Sequence, residues 1–394
     1  MAELELKFVS KTQQVKGFLK SRIGSGELRP GDNLMSEQRL AKTLGVSLIT
    51  VRAAVTSLVE EGLVHRIHGK GTFVADPAVQ SARTKTLAVM VYNVADPFYS
   101  KIVRGMEHRA RERGHHLLLC DTNGDEAREE DYVVDLLGSG KVDGFLLCPR
   151  DQRLGSNAIK RLKLANVPFV IFPQLDLGKA SGVSYVICDD AQGAYQAVSH
   201  LIGLGRSRVG FLSTPVGDNV ALNARLDAYK RALADAGLGF DPALLFHVDD
   251  YRQEDGLRAA SQVACMEGRP TAVFAVGDSL AIGFLNGLRQ RGLKVPEDIA
   301  VVGFDDIDQA SEPGVQLSTV AQPTYEIGRA ATDILIDKLE GIVTEPRHLV
   351  LPAKLVVRAT CGGDVGSRLK HNGSRPPALP SPGADTLVAA GEIN

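Results

Sequence analysis

The chain lacks any uninterrupted apolar stretch of about 18 residues, the length a membrane-spanning helix needs, so no such span is expected. Its opening residues, MAELELKFVSKTQQ, carry acidic side chains early and no apolar run of signal-peptide length, which argues against export. Cysteine is scarce: the five residues Cys120, Cys148, Cys188, Cys265 and Cys361 are an odd number without a C-x-x-C pair. That pattern excludes a disulfide framework or zinc site as the organising device and fits reduced thiols in a cytoplasmic protein. Catalytic signatures are missing as well. There is no G-x-x-x-x-G-K-[ST] loop, no H-E-x-x-H, no G-x-S-x-G and no G-x-G-x-x-G, so neither an enzyme nor a bound cofactor is expected.

What is present is ordinary globular material. At 394 residues, 44% hydrophobic and 23% charged, the chain is too long for one core and predicts two or three folded domains. Its net charge of −2 conceals an asymmetry. Residues 11–74 hold ten of the 45 basic and five of the 47 acidic residues, so this segment carries +5 and the remainder −7. A basic module on an acidic body points to a polyanion partner, a merely solvated charged surface being the plain alternative.

Residues 11–75 read as one small domain. Val15, Phe18, Leu19 and Ile23 fall at helical spacing until Gly24 and Gly26 end the run. After the Pro30-Gly31 turn, Ser36 can cap a second helix carrying Leu40 and Leu44 as far as Gly45. Ser47 can cap a third, with Val51, Val55, Leu58 and Val59 on one face before Gly62. The period then changes to that of strands: Leu63, Val64, Arg66 and Ile67 lead into the turn His68-Gly69-Lys70-Gly71, and Thr72, Phe73 and Val74 return. Helix, turn, helix and hairpin in that order read as a winged helix-turn-helix.

The ordered text GELRPGDNLMSEQRLAKTLGVSLITVRAAVTSLVEEGLVHRIHGKGTFV resembles the winged-helix head of the GntR family over essentially its full length. The resemblance implies that Arg39, then Ser47, Thr50 and Arg52 on the third helix, and His68, Gly69 and Lys70 in the wing contact DNA. Arginine's planar fork can grip guanine or phosphate through two hydrogen bonds, and glycines let a wing backbone approach a groove. Leu48 and Met35 stand where that family commonly has arginine and proline. Taken alone, Arg39 and Arg52 also read as solvated helix charges, and H-G-K-G as an ordinary exposed hairpin turn.

Residues 76–85 have no apolar period, contain Pro77 and read as a linker. Across residues 86–361 the β-rich apolar runs TLAVMVYN, HLLLCDT, VDGFLLCP, VPFVIF, SYVICDD, RVGFLST, TAVFAVG and IAVVGFD mostly alternate with amphipathic segments of helical length. Such alternation predicts parallel sheets flanked by helices, and its length predicts two sheets, hence two lobes and a cleft. The expected fold class is α/β, an N-terminal winged helix-turn-helix followed by a two-lobed domain. Residues 362–394, including GSRPPALPSPG, are expected to be a disordered tail.

Ligands of open α/β sheets sit beyond the carboxyl ends of strands, which directs attention to three junctions. These are Asn93-Val94-Ala95-Asp96-Pro97-Phe98-Tyr99, Gly277-Asp278 and Gly303-Phe304-Asp305-Asp306. With ARLDAYKRAL and VPEDIAVVGFDD they resemble the effector domain of LacI-family repressors and periplasmic sugar-binding proteins across residues 86–358. The resemblance implies a small-molecule site, for a sugar first, with Asp96, Phe98 and Tyr99 on one lobe and Arg225 and Asp278 on the other. It puts Asp305 and Gln322 at the hinge side, with Asp151 a further candidate. Carboxylate, guanidinium and amide groups can bind hydroxyl pairs, and an aromatic ring can cover a sugar face. Gly277 stands where that family often has asparagine.

Each residue also has a plainer reading. Pro97-Phe98 could start a helix with the ring turned inward. Asp305 could hold the hinge by capping backbone amides. Arg225 could pair with Asp227 or Glu254 at the surface, and Cys148 and Cys188 could be small buried hydrophobes.

The function that follows is a DNA-binding transcription regulator, a repressor by resemblance. Its expected partners are double-stranded operator DNA and a small effector, a sugar before a nucleoside or sugar phosphate. A homodimer is expected because paired half-sites call for two-fold symmetry. The rival readings are an enzyme or solute-binding protein on the same α/β fold, and a head used only for protein contact.

Overall fold

The computed structural model describes residues 10–67, 71–74, 84–149, 152, 154–176, 182–217 and 219–363. The chain forms two compact units, one ending at Thr84 and the other beginning at Lys85. Among the described residues no single helix is long and apolar enough to cross a membrane.

The first unit contains α1 (Lys11–Gly24), α2 (Glu37–Leu44), α3 (Leu48–Glu60), β1 (Val64–Ile67) and β2 (Gly71–Val74). Serine begins each helix: the hydroxyls of Ser10, Ser36 and Ser47 accept the otherwise unpaired N–H groups of Gln13, Arg39 and Thr50 at 3.2, 3.3 and 3.1 Å. Gly45 ends α2 in the left-handed region at φ 62°, which lets the chain turn sharply into α3. Val15, Leu19, Leu40, Val51, Ala54, Val55 and Leu58 close over Val64 and Val74 of the antiparallel hairpin. Phe18 departs from the sequence expectation. It is 41% exposed, beside the core stripe instead of in it, with the Arg22 guanidinium 5.6 Å from its ring centre. His68, Gly69 and Lys70 lie outside the described residues.

The second unit begins with β3 (Thr86–Val91), α4 (Pro97–Glu112), β4 (His116–Asp121), α5 (Glu126–Ser139), β5 (Gly144–Leu147), α6 (Asn157–Leu164), β6 (Phe169–Ile171) and β7 (Ser184–Cys188). It continues through α7 (Asp190–Gly203), β8 (Val209–Ser213), α8 (Val220–Asp235), β9 (Leu245–His247), α9 (Gln253–Ala264), β10 (Ala272–Ala275), α10 (Asp278–Gln290), β11 (Ala300–Asp305) and β12 (Ser318–Ala321). It closes with α11 (Thr324–Leu339), β13 (His348–Leu351) and β14 (Lys354–Val356).

Two six-stranded sheets result. Their orders are β13-β7-β6-β5-β3-β4, here lobe 1, and β14-β12-β11-β10-β8-β9, lobe 2. All the pairings are parallel except β12 with β14. The alternation of a strand divides lobe 1 into two packed faces. Leu87, Val89 and Val91 join Ile102, Met106, Ile327 and Ala331 of α4 and α11. Ala88 and Met90 join Val133, Leu136, Ile159 and Leu162 of α5 and α6. A Cβ on Gly105 would strike the Tyr325 carbonyl and one on Gly328 the Ile102 carbonyl, so these glycines set the close approach of α4 to α11.

The chain passes between the sheets three times, at Cys188–Asp190, Ala321–Thr324 and Leu351–Lys354. These crossings bring residues distant in sequence to one hinge. The apolar runs did not reveal four of the strands. β9 and β14 are three residues long, β12 follows an irregular segment, and β13 is an edge strand whose HLVL alternates exposed and half-buried.

Candidate functional site

Two regions carry the predicted chemistry. In the first unit, Arg39 on α2 and Arg52 on α3 are exposed. The Ser47 and Thr50 hydroxyls lie 2.7 Å apart at the start of α3. Arg52 donates to Glu37 at 3.0 Å, and Arg66, on the hairpin strand, donates to the same carboxylate at 2.8 Å and to Thr56 at 3.3 Å. Glu37 thus ties the third helix to the wing strand, and Arg66 is a cation the sequence reading passed over.

In the second unit the strand ends of the two lobes meet across a cleft. Asp96 caps α4 by accepting the Phe98 N–H at 3.0 Å, with Pro97 in the first turn. Phe98 turns inward into the core, which is its plainer reading, and stands edge-on to Tyr99 at 5.1 Å. The Tyr99 hydroxyl meets the Cys148 thiol at 3.5 Å, and burial raises the phenol well above its ordinary range. Burial also raises the Asp96 carboxyl, which the Phe98 N–H stabilises and the carboxylate of Asp250, on lobe 2, pushes further up. Asp96 and Asp250 thus repel each other from the two lobes.

Asp305 ends β11 with φ 119°, a backbone setting that costs an L-residue energy and persists where surrounding structure enforces it. Its carboxylate accepts the Gln322 amide at 2.7 Å, joining β11 to the second crossing. Burial lifts its proton affinity well above normal, Arg225 opposes this, and Asp278 and Asp96 add to it. A Cβ on Gly277 would lie 3.5 Å from Asp305 and 3.7 Å from the Tyr251 ring, so the absent side chain leaves space between them. Tyr251 in turn receives a hydrogen bond from Thr214 at 3.1 Å.

Arg225 and Asp278 sit deeper than sequence reasoning placed them. Arg225 is 4% exposed; its Nε and Nη2 donate to Asp190 at 2.8 and 2.6 Å, its Nη1 to the Val276 carbonyl, and its plane lies 3.7 Å from the Phe304 ring centre. Its partner is the buried Asp190 at the first crossing, instead of the surface residues Asp227 or Glu254. Asp278 is fully buried, accepting from Thr319 Oγ1 at 2.6 Å and from the Ile307 N–H at 3.0 Å, which staples β12 and the segment after β11 to α10. Burial pushes its carboxyl up to about 7.

The lobes are also bridged directly. Lys101 of α4 donates to the Asp306 carbonyl at 2.8 Å and pairs with Asp308 at 2.9 Å. Gln152, held by Gln174 at 2.9 Å, accepts the Val220 N–H at 2.8 Å. Asp151 lies outside the described residues. Asp190 and Tyr251 were the site residues the sequence concealed. The first follows a strand that an apolar run reveals, while the second follows β9, which no apolar run reveals.

The arrangement suits recognition more than reaction. Burial pushes the Cys148 thiol up to about 12 and raises that of Cys188, so both stay protonated and neither is a ready nucleophile. Among the described residues no group of three His, Cys, Asp or Glu side chains could hold a metal.

Residues 11–74 match the family described as bacterial regulatory proteins, gntR family, and residues 198–361 match the periplasmic binding protein-like domain. The arabinose metabolism transcriptional repressor of Geobacillus stearothermophilus is 33% identical over 363 residues, covering 87% of this chain and 97% of that protein. The HTH-type transcriptional repressor CytR of Escherichia coli strain K12 is 32% identical over 286 residues, 72% of this chain and 81% of that one. Among solved structures, a complex of the transcriptional regulator CelR with cellobiose aligns with a TM-score of 0.64 and 30% identity, over 83% of this chain and 100% of that chain. With a gntR-type head, a two-lobed cleft domain and a repressor related along 87% of its length, the chain belongs to the bacterial transcriptional repressors that govern operator DNA through a small-molecule effector domain, and it is a regulator, not an enzyme.

Proposed function

We propose that this cytoplasmic repressor binds double-stranded operator DNA as a homodimer and that a neutral sugar, held in the cleft, weakens that binding. The observation that carries the sugar reading is Asp305, bonded to Gln322 and facing Tyr251 across Gly277, with Asp96, at a strand end of the other lobe, close enough to act electrostatically on Asp305 and on Tyr99. Carboxylates and an amide accept and donate to paired hydroxyls, and aromatic rings cover the apolar face of a pyranose or furanose. In this reading Asp96, Tyr99, Asp305 and Gln322 face the effector, while Arg225, Asp278 and Phe98 shape the walls. The names of two relatives, one tied to arabinose metabolism and one bound to cellobiose, favour the same class.

On the DNA side, Arg39, Ser47, Thr50 and Arg52 would meet the duplex, with His68, Gly69 and Lys70 in the wing. The homodimer is proposed because paired operator half-sites call for two-fold symmetry.

A thermal-shift panel of L-arabinose, D-ribose, cellobiose, adenosine and ribose 5-phosphate tests the effector class. A raised melting midpoint with a sugar supports the reading, because a native-state ligand stabilises by mass action. A shift confined to adenosine or the phosphate moves the assignment to those classes. Sedimentation analysis at micromolar concentration tests the dimer, and a purely monomeric species would end that part of the proposal.

A further inference from the structure

The recognition helix exposes a large apolar side chain that the fold does not use. On α3, Val51, Ala54, Val55 and Leu58 are 0–1% exposed and complete the core of the head, whereas Ile49 is 80% exposed. Helical periodicity puts Ile49 on one stripe with Arg52, Ala53 and Thr56, and Arg52 and Ala53 are exposed too. The polar atoms of the same turn are engaged locally. Ser47 accepts the Thr50 N–H and lies 2.7 Å from the Thr50 hydroxyl, while Arg52 is held by Glu37. What protrudes between them is a branched hydrocarbon, followed one turn later by a methyl group.

We propose that Ile49, with Ala53 beside it, reads the 5-methyl group of thymine in the major groove of the operator. The inference rests on the reading of α3 as the recognition helix. Of the four bases only thymine presents an apolar group in that groove, so an isoleucine there discriminates by burying a methyl instead of by hydrogen bonding. Ala53 is small enough for the helix to approach the base edges, and Arg52, on the same stripe, can reach a phosphate or guanine from this docking. Ile49 therefore becomes a specificity-determining residue separate from the arginines.

The test uses the full chain. Wild type and Ile49→Ala are each carried through selection from a randomised duplex library, and the wild-type motif is then made with deoxyuridine for thymidine at each selected position. Removing one contacted methyl is expected to weaken wild-type binding about fourfold, the equivalent of about 0.8 kcal/mol per buried carbon at about 1.4 kcal/mol per tenfold. Ile49→Ala should bind the thymidine and deoxyuridine duplexes equally, and Ile49→Val should keep part of the preference. Because the side chain is exposed, all three proteins should melt alike, so a loss cannot be assigned to unfolding. Equal thymidine-to-deoxyuridine ratios for wild type and Ile49→Ala would overturn the inference while leaving DNA binding intact. Failure of wild type to enrich any motif would overturn the reading of α3 itself.

Discussion

The head and the cleft solve opposite problems with the same kinds of residue. In the head the proposed DNA contacts are exposed side chains resting on serine caps three residues from the N–H they accept and on the surface carboxylate Glu37, 15 residues from Arg52. In the cleft the charged groups are buried and held by partners far along the chain: Arg225 by Asp190 at a separation of 35 residues, Asp305 by Gln322 at 17, Asp278 by Thr319 at 41. The difference means that the DNA face can change its chemistry without disturbing the fold, whereas the cleft cannot. Binding and stability should therefore be separable in the head and entangled in the cleft.

The sharpest way to break that contrast is Arg225→Met. Removing one member of a buried ion pair leaves an uncompensated charge, so a loss of about 3–5 kcal/mol of unfolding free energy is expected in urea titrations without any ligand. Asp190→Leu should cost a similar amount, and the double variant less than the sum. Unchanged stability of the unliganded Arg225→Met protein would make Arg225 a ligand contact first and a structural residue second.

A pH series separates the same buried groups from the surface. Burial pushes the Asp278 carboxyl up to about 7, against about 3.9 for aspartate in an unfolded chain. The folded state therefore holds more protons between those values. This contribution to stability is fully present below about pH 4 and lost as pH rises through about 7. Asp305 is raised as well and repels Asp278, so the two should titrate as a pair. Exposed carboxylates work the other way and in a different window: Glu112, lowered to about 2 by Arg329 and Arg109, loses its contribution only as pH falls through that range. Asp278→Asn should flatten the fall in the urea midpoint between pH 4 and 7, and a slope equal to wild type would place the titration elsewhere.

The same contrast governs what could be read from the sequence. Caps, turns and the apolar stripe of α3 are local, so Ser36, Gly45 and Ser47 disclosed the head almost residue by residue. Seven of the eight apolar runs disclosed buried parallel strands because both faces of those strands are covered, whereas the eighth, HLLLCDT, is the edge strand β4 with Leu118 and Leu119 exposed. Positions set by chain crossings were not legible. Nothing near Arg225 announces Asp190, and a three-residue strand such as β9 has no period to detect, so Tyr251 went unnoticed. Phe18 shows the limit even within a helix, since one position off the stripe suffices to leave a ring exposed under Arg22.

On the exposed side of the comparison, Arg52→Ala should leave stability within about 0.5 kcal/mol of wild type, because its partner Glu37 retains Arg66. Operator affinity should fall by about 1–3 kcal/mol if the guanidinium reads a base. If it grips a phosphate, the loss should be uniform across sequences and the salt slope should drop by about one. Fluorescence anisotropy at several salt concentrations distinguishes these, and a large melting shift would mean that the head, too, entangles binding with folding.

The smallest effect belongs to the bridge between the lobes. Lys101 is a surface lysine whose pair with Asp308 is worth about 0–1 kcal/mol at most, since both groups stay hydrated and the long side chain loses freedom on pairing. Its second bond, to the Asp306 carbonyl next to Asp305, gives it a place where a small energy acts on a soft coordinate, the opening of the cleft. Lys101→Ala and Asp308→Ala should each shift the lobes toward the open arrangement, most visibly at low salt, and the double variant should shift them little further. Gln152, which accepts the Val220 N–H in another bridge between the lobes, carries no charge and should resist salt. Spin labels on Leu164→Cys of lobe 1 and on Cys265 of lobe 2, which is exposed while Cys120, Cys148, Cys188 and Cys361 are buried, would report the distance. Identical distance distributions for wild type and Lys101→Ala at low salt would show that the bridge closes nothing, leaving the hinge residues and the effector to set the equilibrium between open and closed.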